Sequence, residues 1–194
     1  MTKLPMDRAG AWALLCAHTR TESLRKHALC VEGAMRYFAR LYGEDVEWWG
    51  MVGLLHDLDF EEHPEQHCQI TPVLLREAGF PEDFVRAVLT HGWGLCTEVE
   101  PTLPMEKVIY AADELTGFVT ACALVRPSKS VMDLEPKSVK KKFKDAAFAA
   151  KVRRDVIQAG ADRMGMPLDE LIGHVILALR EIADEIGFGL THGA

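Results

Sequence analysis

What this chain of 194 residues lacks narrows it first. No run approaches the roughly 20 consecutive apolar residues that cross a bilayer, which argues against a membrane span. The apolar stretch 11–17 is short, follows Asp7 and Arg8, and reads as a core-facing helix rather than a targeting segment. The five cysteines (Cys16, Cys30, Cys68, Cys96 and Cys122) are odd in number and contain no Cys-x-x-Cys pair. That pattern predicts reduced thiols and a cytoplasmic setting, not a disulfide framework. The same irregular spacing argues against a structural zinc site made from Cys68, His91 and Cys96.

A positive net charge is missing too: the balance is −7. An acidic chain makes a poor nucleic-acid binder, which wants a broad basic face. The charge is uneven, however. Between Arg126 and Arg154, ten Lys and Arg stand against Asp133, Glu135 and Asp145. The run Lys140-Lys141-Lys142-Phe143-Lys144 reads as a solvated helix face, with attraction of phosphate groups as the sharper alternative.

Period-two alternation, internal repeats, low-complexity tracts and dividing linkers are absent as well, and nearly every segment has helical spacing. The expected fold is all-α, a single compact helical bundle over 1–194, with a core over about 20–125 and C-terminal helices over about 126–187. Leu24, Ala28, Val31, Met35, Phe38 and Tyr42 predict a helix that stops at Gly43. A second is expected from about Asp45 to the pair His56-Asp57. Thr71-Pro72 reads as an N-cap and first-turn proline, Pro81 opens a helix carrying Phe84, Val88 and His91, and Met105 opens a longer one to about Leu124. A last helix carries Leu168, Leu171, Ile172, Val175, Leu179, Ile182 and Ile186; its remaining apolar surface would permit a homodimer. The residues after Gly187, His192 among them, read as a loose tail.

His56-Asp57 closes the apolar run Met51-Val52-Gly53-Leu54-Leu55, and a carboxylate entering such a segment must be neutralised. His27, His67, His91 and Asp113 each lie on a separate helical segment, on or beside an apolar face. Several imidazoles and two carboxylates facing inward, with few inward cations, point to a shared divalent metal site.

The order His27, His56-Asp57, Asp113 resembles the HD-domain superfamily of metal-dependent phosphohydrolases, at motif level over about residues 20–125. Asp113-Glu114-Leu115-Thr116-Gly117, Arg126-Pro127-Ser128-Lys129 and Lys137-Ser138-Val139-Lys140-Lys141-Lys142-Phe143 also resemble a subgroup of small bacterial HD-domain proteins known mainly as predicted hydrolases. The resemblance implies that His27, His56, Asp57 and Asp113 are metal ligands. His67 and His91 match two further histidines of binuclear members, including HD-type diadenosine tetraphosphate hydrolases; His63 competes with His67 for that role. Two ions are then implied, of Fe, Mn, Zn, Co or Ni, with Mg admissible. The implied activity is hydrolysis of a small phosphorylated metabolite, a nucleotide foremost.

Asp59, Glu61 and Glu62, just after the doublet, are candidates for orienting a water or a ligand histidine. Lys107 and Arg126 are candidate phosphate contacts. The long connection between His91 and Met105 suggests a lid, with Trp93 between Gly92 and Gly94 as a substrate contact. Several branches resemble the chain less. The acidic pair of stringent-response hydrolases is displaced, and the His/Gly/Pro run of deoxynucleoside triphosphate hydrolases is missing. So is the Gly-Tyr-Pro motif of cyclic dinucleotide phosphodiesterases. Phe60 stands where the mononuclear monophosphatases carry a glutamate. A mononuclear site, and a non-catalytic module that binds metal or nucleotide, are the alternative readings.

Overall fold

Each helix starts and stops on identifiable chemistry in the computed structural model, which describes residues 3–190. Asp7 opens α1 (Arg8–His18) by accepting from Gly10 N, and Asp45 opens α3 (Val46–Leu54) by accepting from Glu47 N and Trp48 N. Between them, α2 (Glu22–Tyr42) ends at Gly43, whose φ of 70° is the left-handed turn that glycine adopts at low cost. The short helices α4 (Thr71–Glu77) and α5 (Glu82–Leu89) follow, Pro81 leading the second. Proline begins α6 (Pro104–Leu124), where buried Glu106 reaches back to accept from Thr102 N and Leu103 N at 2.8 and 2.9 Å. The chain continues through α7 (Pro136–Phe143), α8 (Arg154–Met164) and α9 (Leu168–Glu181). Among the described residues there is no sheet; one isolated bridge joins Trp93 and Thr97. No helix among them is long and apolar enough to cross a membrane.

The two longest helices, α2 and α6, make the centre. α3 packs on α2, α8 packs on α6, and α9 touches both. Close approach depends on two glycines. A Cβ on Gly53 would stand 2.9 Å from the Val31 carbonyl, and one on Gly160 would stand 2.7 Å from Ala111 Cα. Phe38, Phe84, Phe118, Met35, Leu54, Ile109 and Leu115 are fully buried in one apolar cluster. Each such side chain contributes about 1.5–3 kcal/mol by leaving water. Glu32 on α2 carries a charge into this region, where it is buried and paired to Arg8 at 2.7 Å and Arg36 at 2.8 Å. Arg36 continues to Glu47, so three helices are tied through one carboxylate.

The all-α architecture is as expected, and three local expectations are corrected. α3 stops at Leu54, so His56-Asp57 stand in the turns beyond it and not on the helix. Thr71 is the first residue of α4 and not its cap; Asp59 accepts from its backbone N–H instead. Cys68 and Cys96, 28 residues apart in sequence, form a disulfide with Cα atoms 5.9 Å apart, so these two thiols are not reduced as expected. Helix α8 falls within the expected C-terminal helices, with a small buried face of Val156, Ile157, Gly160 and Ala161. The apolar face of α9 is covered by α2, α6 and α7, with Leu177 left exposed. His192 lies outside the described residues.

Candidate metal centre

Six side chains converge from five places in the chain. His27 comes from α2, His56 and Asp57 from the turns after α3, and His67 from the end of a short 3₁₀ turn, Pro64–Gln66. His91 comes from a second such turn, Thr90–Gly92, and Asp113 from α6. Asp57 lies in the middle and faces two ways. Its Oδ2 is 3.3 Å from His56 Nε2 and 4.0 Å from His27 Nε2. Its Oδ1 is 3.5 Å from His67 Nε2 and 3.4 Å from His91 Nε2. Asp113 Oδ1 is 2.9 Å from His27 Nε2 and 3.5 Å from His56 Nε2.

The imidazoles are oriented from behind. Nδ1 of His56 donates to Gly53 O at 2.7 Å, Nδ1 of His67 to Asp59 Oδ1 at 2.8 Å, and Nδ1 of His91 to Val88 O at 2.6 Å. Carbonyl and carboxylate oxygens only accept, so each Nδ1 carries the proton and each neutral ring presents a bare Nε2 lone pair to the centre. Two consequences show that the donors fit an ion. His56 Nε2 is fully buried and makes no hydrogen bond, although Asp57 and Asp113 approach it. His67 Nε2 and His91 Nε2 face each other at 3.2 Å, lone pair against lone pair when both rings are neutral. Two ligand atoms about 2.1 Å from one tetrahedral ion stand about 3.4 Å apart, the spacing seen around Asp57. Two groups of donors could each hold an ion: His27, His56 and Asp57, and His67, Cys68 and His91.

Without an ion, protons must do the neutralising. Burial disfavours a charged His56, yet Asp57 and Asp113 raise its ring well above the ordinary value. Burial likewise opposes ionisation of Asp57, but His56 and His91 hold it well below the usual carboxylate range. Asp113 is lowered in the same way, against its burial, by His56 and His27. For His67, burial is outweighed by Asp59 and Asp57, and the ring is raised. Glu114, beside Asp113, is raised by burial and by its neighbour's charge.

The cluster forms the floor of a cavity of about 520 Å³. Leu24, Phe60, Leu95 and Val152 supply apolar wall, and Lys151 is the one Lys or Arg lining it among the described residues. The 144–153 loop that carries Lys151 is held by Arg154, whose guanidinium donates to Phe143 O and Asp145 O and to the Phe148 carbonyl, and lies over the Phe118 ring.

Asp59 is buried and does steady a cluster histidine: besides His67 it accepts from Ile70 N and Thr71 N. Glu61 turns away, accepting from Arg20 N and from Thr21 N and Oγ1, and so fixes the segment that enters α2. Glu62 is bound to His18. His63 is exposed, and His67 occupies the cluster. Trp93 is not over the cavity: its ring packs on Tyr110, with the Arg163 guanidinium 4.1 Å from its centroid. The same loop reaches the cavity through Leu95 and Cys96 instead. Lys107 lines a separate depression with Tyr42, Glu44 and Arg163. Arg126 is engaged by Asp133 at 2.8 Å, outside the cavity.

Lys151 was missed because a loop residue has no periodicity to read; its only signal was membership of the basic segment. Half of that segment's ten cations are engaged elsewhere: Arg126 by Asp133, Lys140 by Asp169, Arg153 by Asp155, Lys142 over the Phe148 ring and Arg154 by backbone carbonyls. Compared with protein families, with curated proteins and with solved structures, the chain finds no match.

Proposed function

We propose that the chain is a metal-dependent phosphohydrolase of the HD type, with a binuclear centre and a small phosphorylated substrate, a nucleotide foremost. The observation that carries the reading is Asp57, whose two oxygens face two separate sets of imidazoles. In this reading His27, His56, Asp57 and Asp113 would hold one ion, and Asp57, His67 and His91 would hold the other. Divalent ions bound there would supply charge to a phosphoryl oxygen and lower the pKa of a coordinated water toward neutrality.

The remaining roles fall to the cavity walls. Lys151 offers the positive charge that draws a phosphate toward the acidic floor. Phe60 and Leu95, both substantially exposed, give an apolar grip for a planar organic body. Asp59 keeps the His67 proton on Nδ1, so that Nε2 stays available. Glu114, with its carboxyl raised, is the wall group able to carry a proton near the reacting phosphate.

The test is a panel of nucleotides and simple phosphoesters incubated with chelator-stripped protein reloaded with Mn²⁺, Fe²⁺, Co²⁺ or Zn²⁺. The expected result is hydrolysis of at least one class, abolished by chelation and by Asp57→Ala. A fully loaded protein that hydrolyses none of them overturns the reading.

A further inference from the structure

Cys68 and Cys96 take no part in the roles above, yet they sit against the centre. Cys68 immediately follows His67, and its backbone adopts a φ of 65°, a left-handed turn unusual for a residue with a side chain. That turn accompanies a buried sulfur 3.8 Å from His91 Nε2. Cys96 comes from the loop beyond His91 and lines the same cavity. Between them lies Gly92, where any Cβ would collide with both sulfurs. The site therefore has room for two sulfur atoms beside two ligand-type imidazoles. The other three cysteines are placed differently: burial pushes the Cys30 thiol up to about 12 and the Cys122 thiol up to about 11, and Cys16 remains free on α1.

His67, Cys68 and His91 each offer one donor atom, all within 4.8 Å of one another. We infer that the Cys68–Cys96 pair makes the His67/His91 metal position redox-dependent: the reduced chain adds the Cys68 sulfur as a ligand, and the disulfide withdraws it. This rests on the reading that His67 and His91 hold an ion. The step balances with a dithiol as reductant. The disulfide takes up two electrons and two protons to give two thiols, while the dithiol closes to its own disulfide. Coordination then releases the Cys68 S–H proton to solvent. The change in donors has a direction: with sulfur the position favours Zn²⁺, Co²⁺ or Cd²⁺, and without it the oxygen of Asp57 leaves a harder set suited to Mn²⁺ or Fe²⁺.

The test is anaerobic titration of the full-length, metal-stripped chain with Co²⁺, before and after reduction by a dithiol that is then removed. Bound cobalt is measured directly, and sulfur-to-cobalt charge transfer is read in the near-ultraviolet. The reduced chain should show the charge-transfer band and the oxidised chain should lack it. Cys68→Ser should lack it in either state. Cys96→Ser cannot close the disulfide and should show it with or without reductant. Reduced chain and Cys96→Ser that both bind cobalt without the band overturn this inference and leave the metal centre standing. A chain that binds no cobalt in either state overturns both.

Discussion

Asp59 Oδ1 accepts the Nδ1 proton of His67 at 2.8 Å, while its second oxygen accepts from the backbone N–H groups of Ile70 and Thr71. A single buried carboxylate thus aims a candidate ligand and starts helix α4. Burial alone would raise this carboxyl; His67 and Thr71 hold it below the ordinary range, so it is an acceptor under working conditions.

Asp59→Ala should therefore lose on both counts. Leaving the buried Thr71 N–H, the part-buried Ile70 N–H and the His67 ring without a partner should cost about 3 kcal/mol in a denaturant titration. Loss of an orienting partner should weaken the ion proposed at His67 and His91 on the order of 10–100-fold. Unchanged stability and unchanged metal affinity would remove Asp59 from the account.

Among the cations, position relative to the cavity decides the effect. Lys151→Ala should raise KM on the order of tenfold for a phosphorylated substrate, the scale of one charge-assisted contact. Lys107→Ala and Arg126→Ala should leave KM unchanged, because those side chains lie outside the cavity. Trp93→Ala should lower stability, through loss of packing on Tyr110 and Arg163, with KM little altered. The reverse ranking in steady-state kinetics would mean that substrate binds elsewhere.

The pH dependence separates the metal-free from the loaded chain. His56 and His67 titrate above their ordinary 6.5 in the metal-free fold, so their contribution is complete below about that value and is lost as pH rises through the raised folded values. Asp57, Asp59 and Asp113 are depressed below 3.8, so theirs is present above it and is lost as pH falls through the lowered values. The metal-free chain should be most stable between about pH 4 and 6.5. A bound ion needs neutral imidazoles, so metal should move the optimum upward. Thermal melts across pH, with chelator and with Mn²⁺, check this; identical profiles would contradict it.

Glu32 offers a test of the scaffold away from the centre. Glu32→Ala strips the shared partner from Arg8 and Arg36, both of which keep some solvent, so the cost should be about 2–3 kcal/mol rather than the full penalty of a sealed pair. A change within 0.5 kcal/mol, about the scatter expected of an ordinary surface site, would show that the network contributes little.

Much of the cluster was legible because its residues sit near helices whose apolar spacing reveals an inward side. His27 follows the phase of Leu24 and Val31, and His91 that of Phe84 and Val88. Asp113 projects from α6 where most neighbours are buried. What could not be read depends on contacts between distant segments. Glu61 looked like a companion of the doublet, but its partners are Arg20 and Thr21, forty residues earlier. The Cys68–Cys96 bond joins residues 28 apart with no spacing pattern behind it. Lys151 reaches the cavity on a loop shaped by Arg154 bonds to carbonyls, which no side-chain periodicity records. Gly160 reads as a weak helix residue until Ala111 is found against it.

The central claim is that Asp57 is shared between two ions, and metal stoichiometry tests it most directly. Chelator-stripped wild-type chain, reloaded and freed of excess ion by gel filtration, is measured by elemental mass spectrometry beside Asp57→Ala of equal helix content. The account predicts about two equivalents on the wild type and close to none on the variant. A wild-type chain without bound ion, or a variant that keeps both, would contradict it.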